Sequence, residues 1–187
     1  MTQQLSANQF KEVYVNLGID TGHMGCIMLD TEQLKVSDII DSEDLYYAQD
    51  SQAHSHVDGI VSEVVPHVTL LYGLLQPGSA MQKHVDAVLN DWQIDSLTID
   101  HITAFESQDQ QEPYYCLVAE LELTNELVEG NARLRLLPHI DTFPTYRAHI
   151  TLAYIKKDDA KRDQYIAALG ERFNGRSIGI RALNYGD

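Results

Sequence analysis

Pro66-His67-Val68-Thr69-Leu70-Leu71-Tyr72 and Ala148-His149-Ile150-Thr151-Leu152-Ala153-Tyr154 are two copies of one short pattern, nearly half the chain apart. Each runs His, aliphatic, Thr, Leu, apolar, Tyr. Both read as β-strands, in which alternate side chains point to opposite faces. On that alternation His67, Thr69 and Leu71 share one face, and Val68, Leu70 and Tyr72 the other. His149, Thr151 and Ala153 likewise oppose Ile150, Leu152 and Tyr154. The second face of each copy, its Tyr included, is the expected core face. The first offers an imidazole, which gives or takes a proton near neutral pH, beside a hydroxyl suited to a phosphate oxygen. Two such faces set opposite one another would supply one base, one acid and two oxygen contacts.

The flanking sequence sorts around these strands. Residues 1–24 are polar and poorly periodic and read as an N-terminal arm. Gly25 to Asp30 reads as a short buried strand, and residues 34–41 as a weakly patterned helix. Residues 41–63 are acidic and turn-rich without a period, the pattern of a long loop or lid. Ser79, with Gln82 at the capping-box position, opens a helix whose apolar face is Met81, Val85, Val88 and Trp92. Strands over 97–105 and 114–123 flank a polar turn and suggest a hairpin. Thr124 caps a helix through about Leu137, stopped by Pro138. The second His/Thr strand spans 146–155, Asp158 opens a last helix, and Ser177 to Leu183 is a final strand. The chain therefore reads as one α+β domain over residues 1–187, with internal pseudo-symmetry.

Composition narrows the ligand. The 187 residues carry a net charge of −15, from 28 acidic and 13 basic side chains. Long nucleic acids are held largely by clustered Lys and Arg. The nearest approach to a basic patch is Lys156-Lys157 with Lys161-Arg162, so a small anionic ligand fits better than a long one. No apolar run is long enough to span a bilayer, and Met1 to Ser6 lacks the regions of a signal peptide. Two cysteines, Cys26 and Cys116, are expected to be reduced, buried thiols of a cytoplasmic protein.

The paired His-x-Thr strands, each with its trailing Leu-x-Tyr, and the Phe143-Pro144 before the second copy resemble the 2H phosphoesterase superfamily. The resemblance implies two pseudo-symmetric lobes of antiparallel sheet and helices around a central cleft. It implies His67, Thr69, His149 and Thr151 as catalytic residues, with no metal or cofactor. One His would act as base and the other as acid, and the hydroxyls would hold the phosphoryl oxygens. The wording Pro66-His67-Val68-Thr69-Leu70-Leu71-Tyr72-Gly73 is most similar to phage-encoded members, some of which degrade cyclic oligonucleotide messengers of bacterial anti-phage defence. The implied substrate is then a small cyclic (oligo)nucleotide in the host cytoplasm. The alternatives are an RNA-end 2′,3′-cyclic phosphodiesterase and a module that sequesters a nucleotide without turnover. Ala148 departs from the Pro that often precedes the second His.

Several other residues are weighed against plainer readings. A third match, His101-Ile102-Thr103, lacks the Leu-x-Tyr context and reads as ordinary strand. Arg147 shares the parity of His149 and is a candidate substrate contact, with solvated surface as the alternative. Tyr72, Tyr154 and Trp92 are expected in the core. His54-Ser55-His56, between Asp50 and Asp58, matches no closed zinc spacing and reads as polar loop. A Gly-x-Ser-x-Gly elbow and a phosphate-cradling glycine loop are both lacking.

Overall fold

The computed structural model describes residues 24–47, 60, 65–107, 113–141, 143 and 145–186. The expected arm and the His54/His56 segment lie outside them, as does most of the candidate lid. Six strands are present: β1 (Gly25–Thr31), β2 (His67–Leu74), β3 (Ser96–Glu106), β4 (Tyr114–Leu121), β5 (His149–Lys156) and β6 (Ser177–Gly186). Three helices accompany them: α1 (Gly78–Val88), α2 (Asn125–Leu134) and α3 (Asp159–Phe173). All strand pairs are antiparallel, and the sheet closes on itself in the order β1-β2-β5-β4-β3-β6. This is the α+β fold expected from the sequence.

Local chemistry accounts for most boundaries. Thr124 Oγ1 accepts from Leu127 N–H at the start of α2, and the Asp158 side chain accepts from Lys161 N–H at the start of α3. Helix α1 starts at Gly78, one residue before the expected cap Ser79. A Cβ at Gly78 would lie 2.5 Å from the Gly186 carbonyl oxygen, so only glycine lets α1 approach β6 this closely. Residues 34–41 form no α-helix. Leu34 and Val36 are fully buried, and a spacing of two reaches one core only from extended chain. A 3₁₀ turn, Ser42–Asp44, follows, with the Asp41 side chain accepting from Glu43 N–H. Trp92 lies beyond the end of α1 and donates from Nε1 to the Glu126 carbonyl at 2.7 Å.

The core is the layer between helices and sheet. Met81 and Val85, Leu127 and Leu134, and Leu169 and Phe173 join Ile27, Leu29, Val68, Leu117 and Ile150 in one buried cluster. Each such side chain contributes ~1.5–3 kcal/mol by leaving water. A six-stranded ring is too narrow to hold a helix. The helices pack on one face of the strands through this cluster, and the His/Thr residues lie on the other.

The strand registers reveal an approximate twofold axis. β2 and β5 pair at one point, Val68 with Ile150. On one side of it Asp30, Met28 and Cys26 of β1 lie across from His67, Thr69 and Tyr72 of β2. On the other, Glu120, Val118 and Cys116 of β4 lie across from His149, Thr151 and Tyr154 of β5. The outer strands follow suit: β6 sets Ala182, Asn184 and Gly186 beside β1, and β3 sets His101, Thr103 and Phe105 beside β4. The first lobe is β6-β1-β2 and the second β3-β4-β5.

Candidate active site

Antiparallel pairing about Val68 and Ile150 decides the geometry. Continued one residue either way, it sets His67 across from Thr151 and Thr69 across from His149. Both strands carry their His and Thr on the face opposite the buried Val68 and Ile150. His67 is exposed, while Thr69, His149 and Thr151 are half-buried. The positive charge of a protonated His67 is felt at His149 and disfavours a second charge there. All four predicted residues come together.

The two rings are held alike. His149 Nδ1 lies 2.7 Å from the Arg147 carbonyl, and His67 Nδ1 lies 3.4 Å from the Val65 carbonyl. A carbonyl only accepts, so the Nδ1 facing it carries hydrogen and Nε2 is left for chemistry. The environments differ. Burial holds the His149 pKa below the usual imidazole value of 6.5, and Arg147 and His67 push the same way. The bond to the Arg147 carbonyl and the charge of Glu120 offset part of this. His149 is therefore the neutral, proton-accepting ring near neutral pH.

A β-bulge in each copy corrects the expected parity. Met28 pairs with Thr69 and Ile27 with Leu71, so Leu70 is the extra residue of β2. Val118 pairs with Thr151 and Leu117 with Ala153, so Leu152 is the extra residue of β5. One extra residue reverses the alternation beyond it. Tyr72 and Tyr154, expected in the core, join the His/Thr face instead, and Tyr72 is 41% exposed. The carbonyl of Leu70 is taken up by the buried Asn131, whose Nδ2 donates to it at 2.6 Å. Burial pushes the Tyr154 phenol up, so it stays protonated.

Residues of the flanking strands complete the face. Asp30, across from His67, accepts from Asn184 Nδ2 at 3.1 and 3.2 Å through its two oxygens. Glu120, across from His149, accepts from Arg147 Nη2 through Oε1. Its Oε2 lies 3.3 Å from His101 Nε2. His101 also pairs with Asp100, Nδ1 to Oδ2 at 2.8 Å. The third His-x-Thr lies in β3, two strands from β5, with His101 across from Glu120 and Thr103 across from Val118. Phe105 meets the His149 ring edge-on at a centroid distance of 5.0 Å, and the Arg147 guanidinium lies over Phe105 at 4.6 Å. Cys26 and Cys116, half-buried thiols outside any disulfide, occupy equivalent places. Burial raises the Cys116 thiol to about 11. Its sulfur lies 3.9 Å from Thr151 Oγ1, to which the thiol donates.

Among the described residues, no helix is long and apolar enough to cross a membrane. Two imidazoles and two hydroxyls facing one another can move protons to and from the oxygens of a phosphodiester while hydrogen-bonding its non-bridging oxygens. Known families agree with that geometry. The chain matches the 2′-5′ RNA ligase superfamily over residues 42–178, a span that takes in both His-x-Thr strands. It belongs to that superfamily, and its activity is of the 2H phosphoesterase type. Comparison with curated proteins gives no match.

Proposed function

We propose that the protein is a metal-independent phosphodiesterase that cleaves small cyclic (oligo)nucleotides, with His149 as base and His67 as acid. The observation that carries this reading is the juxtaposition of the two His-x-Thr strands about Val68 and Ile150. In the proposed step His149 Nε2 takes the proton of the attacking hydroxyl, from water or an adjacent ribose. That oxygen bonds to phosphorus, the bond to the leaving oxygen breaks, and His67 returns a proton to the departing oxygen. Thr69 and Thr151 donate to the non-bridging oxygens as charge builds there. The Cys116 thiol donates to Thr151 Oγ1, which leaves the threonine hydrogen free for phosphate.

The charge pattern favours a compact substrate. Asp30 and Glu120 place a carboxylate on the strand beside each His, and the chain is acidic throughout. A polyanion would be repelled there, whereas a small diester brings little charge of its own. The phage-like wording around His67 points to cyclic oligonucleotides within that class, and a counter-defence role in a host cytoplasm follows from it.

The test is turnover of cyclic mono-, di- and trinucleotides and 2′,3′-cyclic nucleotides in excess EDTA, with His67→Ala and His149→Ala alongside. Cleavage that survives EDTA and disappears in both variants supports the proposal, and the panel names the substrate. Cleavage unaffected by either substitution overturns it. Ligand retained and recovered intact would make the protein a sequestering module instead.

A further inference from the structure

The helix face of the sheet is finished differently in the two lobes. Where the ring closes, β3 and β6 pair about Leu97 and Ile178, and the twofold axis exchanges these two residues. The same exchange relates α1 to α3, Trp92 to Phe173, Ile180 to Ile99 and Leu183 to Ile102. Helix α3 runs for 15 residues, and its last turn seats Phe173 in the core with Ile99 and Ile102. The chain then closes onto β3: Asn174 Oδ1 accepts from Ile102 N–H at 3.1 Å, and Gly175 N–H donates to the Ile99 carbonyl at 2.7 Å. Helix α1 stops after 11 residues. Trp92 turns to the Glu126 carbonyl instead, and among the described residues Gln93 and Ile94 make no such bonds to β6. Trp92, Ile180 and Leu183 are left half-buried.

The result is a groove of about 450 Å³ between the end of α1 and β6, within the size range of small-molecule sites. Leu29, Leu89, Trp92, Ile180 and Leu183 give it apolar surface, and Arg181 lines it as well. Arg133, Arg135, Arg147, Arg162, Arg172 and Arg176 each pair with a carboxylate. Arg181 pairs with none among the described residues, in a chain whose net charge is −15. Two carboxylates line the same groove: Asp86, which accepts from the Tyr185 hydroxyl, and the exposed Asp95. They would repel a ligand with more than one negative charge.

We propose that this groove is a binding site for a small monocarboxylate with an apolar body. The carboxylate pairs with the Arg181 guanidinium, whose parallel N–H donors match its two oxygens. The body lies against Trp92 and Leu183 and removes their exposed surface from water. Leu29 and Leu183 pair on the strand face opposite Asp30, so the site is separate from the His/Thr cleft.

The chain has one tryptophan, so Trp92 emission reports occupancy directly. Titration with 4-phenylbutyrate should change that emission saturably. The uncharged 4-phenylbutanamide should bind about tenfold more weakly, as expected for the loss of one charged hydrogen-bonded pair. Arg181→Ala should weaken 4-phenylbutyrate by about tenfold and leave the amide within twofold. His67→Ala and His149→Ala should bind 4-phenylbutyrate like the parent. No saturable change would overturn the site, as would equal affinity for carboxylate and amide or full affinity in Arg181→Ala. Loss of affinity in either histidine variant would place the carboxylate in the cleft and overturn it too.

Discussion

The first lobe holds His67 in the open beside an aspartate tethered to an amide; the second holds His149 half-buried between an arginine, a phenylalanine and a glutamate already paired. Strand order, register and bulge position are the same in both. The scaffold duplicates the positions of the two histidines, and the neighbours give them different surroundings. Acid–base catalysis needs such a difference, because one ring must be neutral while the other carries a proton. Burial lowers the His149 pKa, which favours its neutral form and fits the proposed role of base.

The largest effect that would sharpen this contrast comes from the histidines themselves. His67→Ala and His149→Ala are each expected to lower kcat by ~10²–10⁴. Their pH profiles should part company. A base works only when unprotonated, so activity falls as pH drops through its pKa, and for His149 that pKa lies below 6.5. The acid limb of kcat/KM should therefore sit below pH 6.5 in the parent and vanish in His149→Ala. An acid limb that persists there would break the assignment.

Stability changes come next. Asn131→Ala leaves the bulge carbonyl of Leu70 buried and unpaired and should cost ~1–3 kcal/mol in urea unfolding. Gly73→Ala is expected to cost at least as much. Gly73 has φ +99°, and a Cβ there would meet the Ile140 carbonyl oxygen at 2.5 Å. Gly175 also has positive φ, +76°, but open space around it, so Gly175→Ala should cost only about 1 kcal/mol. The smallest effect concerns Cys116. With its thiol at about 11, it should resist iodoacetamide at pH 8 in the native protein and react once unfolded, as peptide mapping would show.

The sequence made the repeated His-x-Thr strands legible because residue type and spacing survive without knowledge of the fold. The Thr124 and Asp158 caps and the β3–β4 hairpin were readable for the same reason, whereas the second His/Thr strand starts at His149 rather than at 146 and the last runs on to Gly186. The parity of Tyr72 and Tyr154 was not. A bulge at Leu70 or Leu152 has no signature in an apolar run, and it inverts every side chain after it. The flanking residues were missed for a different reason: cross-strand pairing brings Glu120 to His149 and Phe105 to Cys116 from distant parts of the chain. One signal was available. Cys26-Ile27-Met28-Leu29-Asp30 and Cys116-Leu117-Val118-Ala119-Glu120 share a Cys, three apolar residues and an acid, and they are the strands that flank the two histidines. Residues 34–41 misled because apolar residues at mixed spacings suit a helix and a buried irregular segment equally.

The central claim is that the two lobes supply a base and an acid to one phosphodiester. It is tested most directly by changing the leaving group. An ester that departs as p-nitrophenolate needs no proton, whereas an alkoxide does. On a ribonucleoside 3′-(p-nitrophenyl phosphate), His67→Ala should recover most of the activity it loses on an alkyl ester, and His149→Ala should recover none. Recovery in His149→Ala alone would reverse the two roles. Equal loss in both variants on both esters would contradict the division of labour between the lobes.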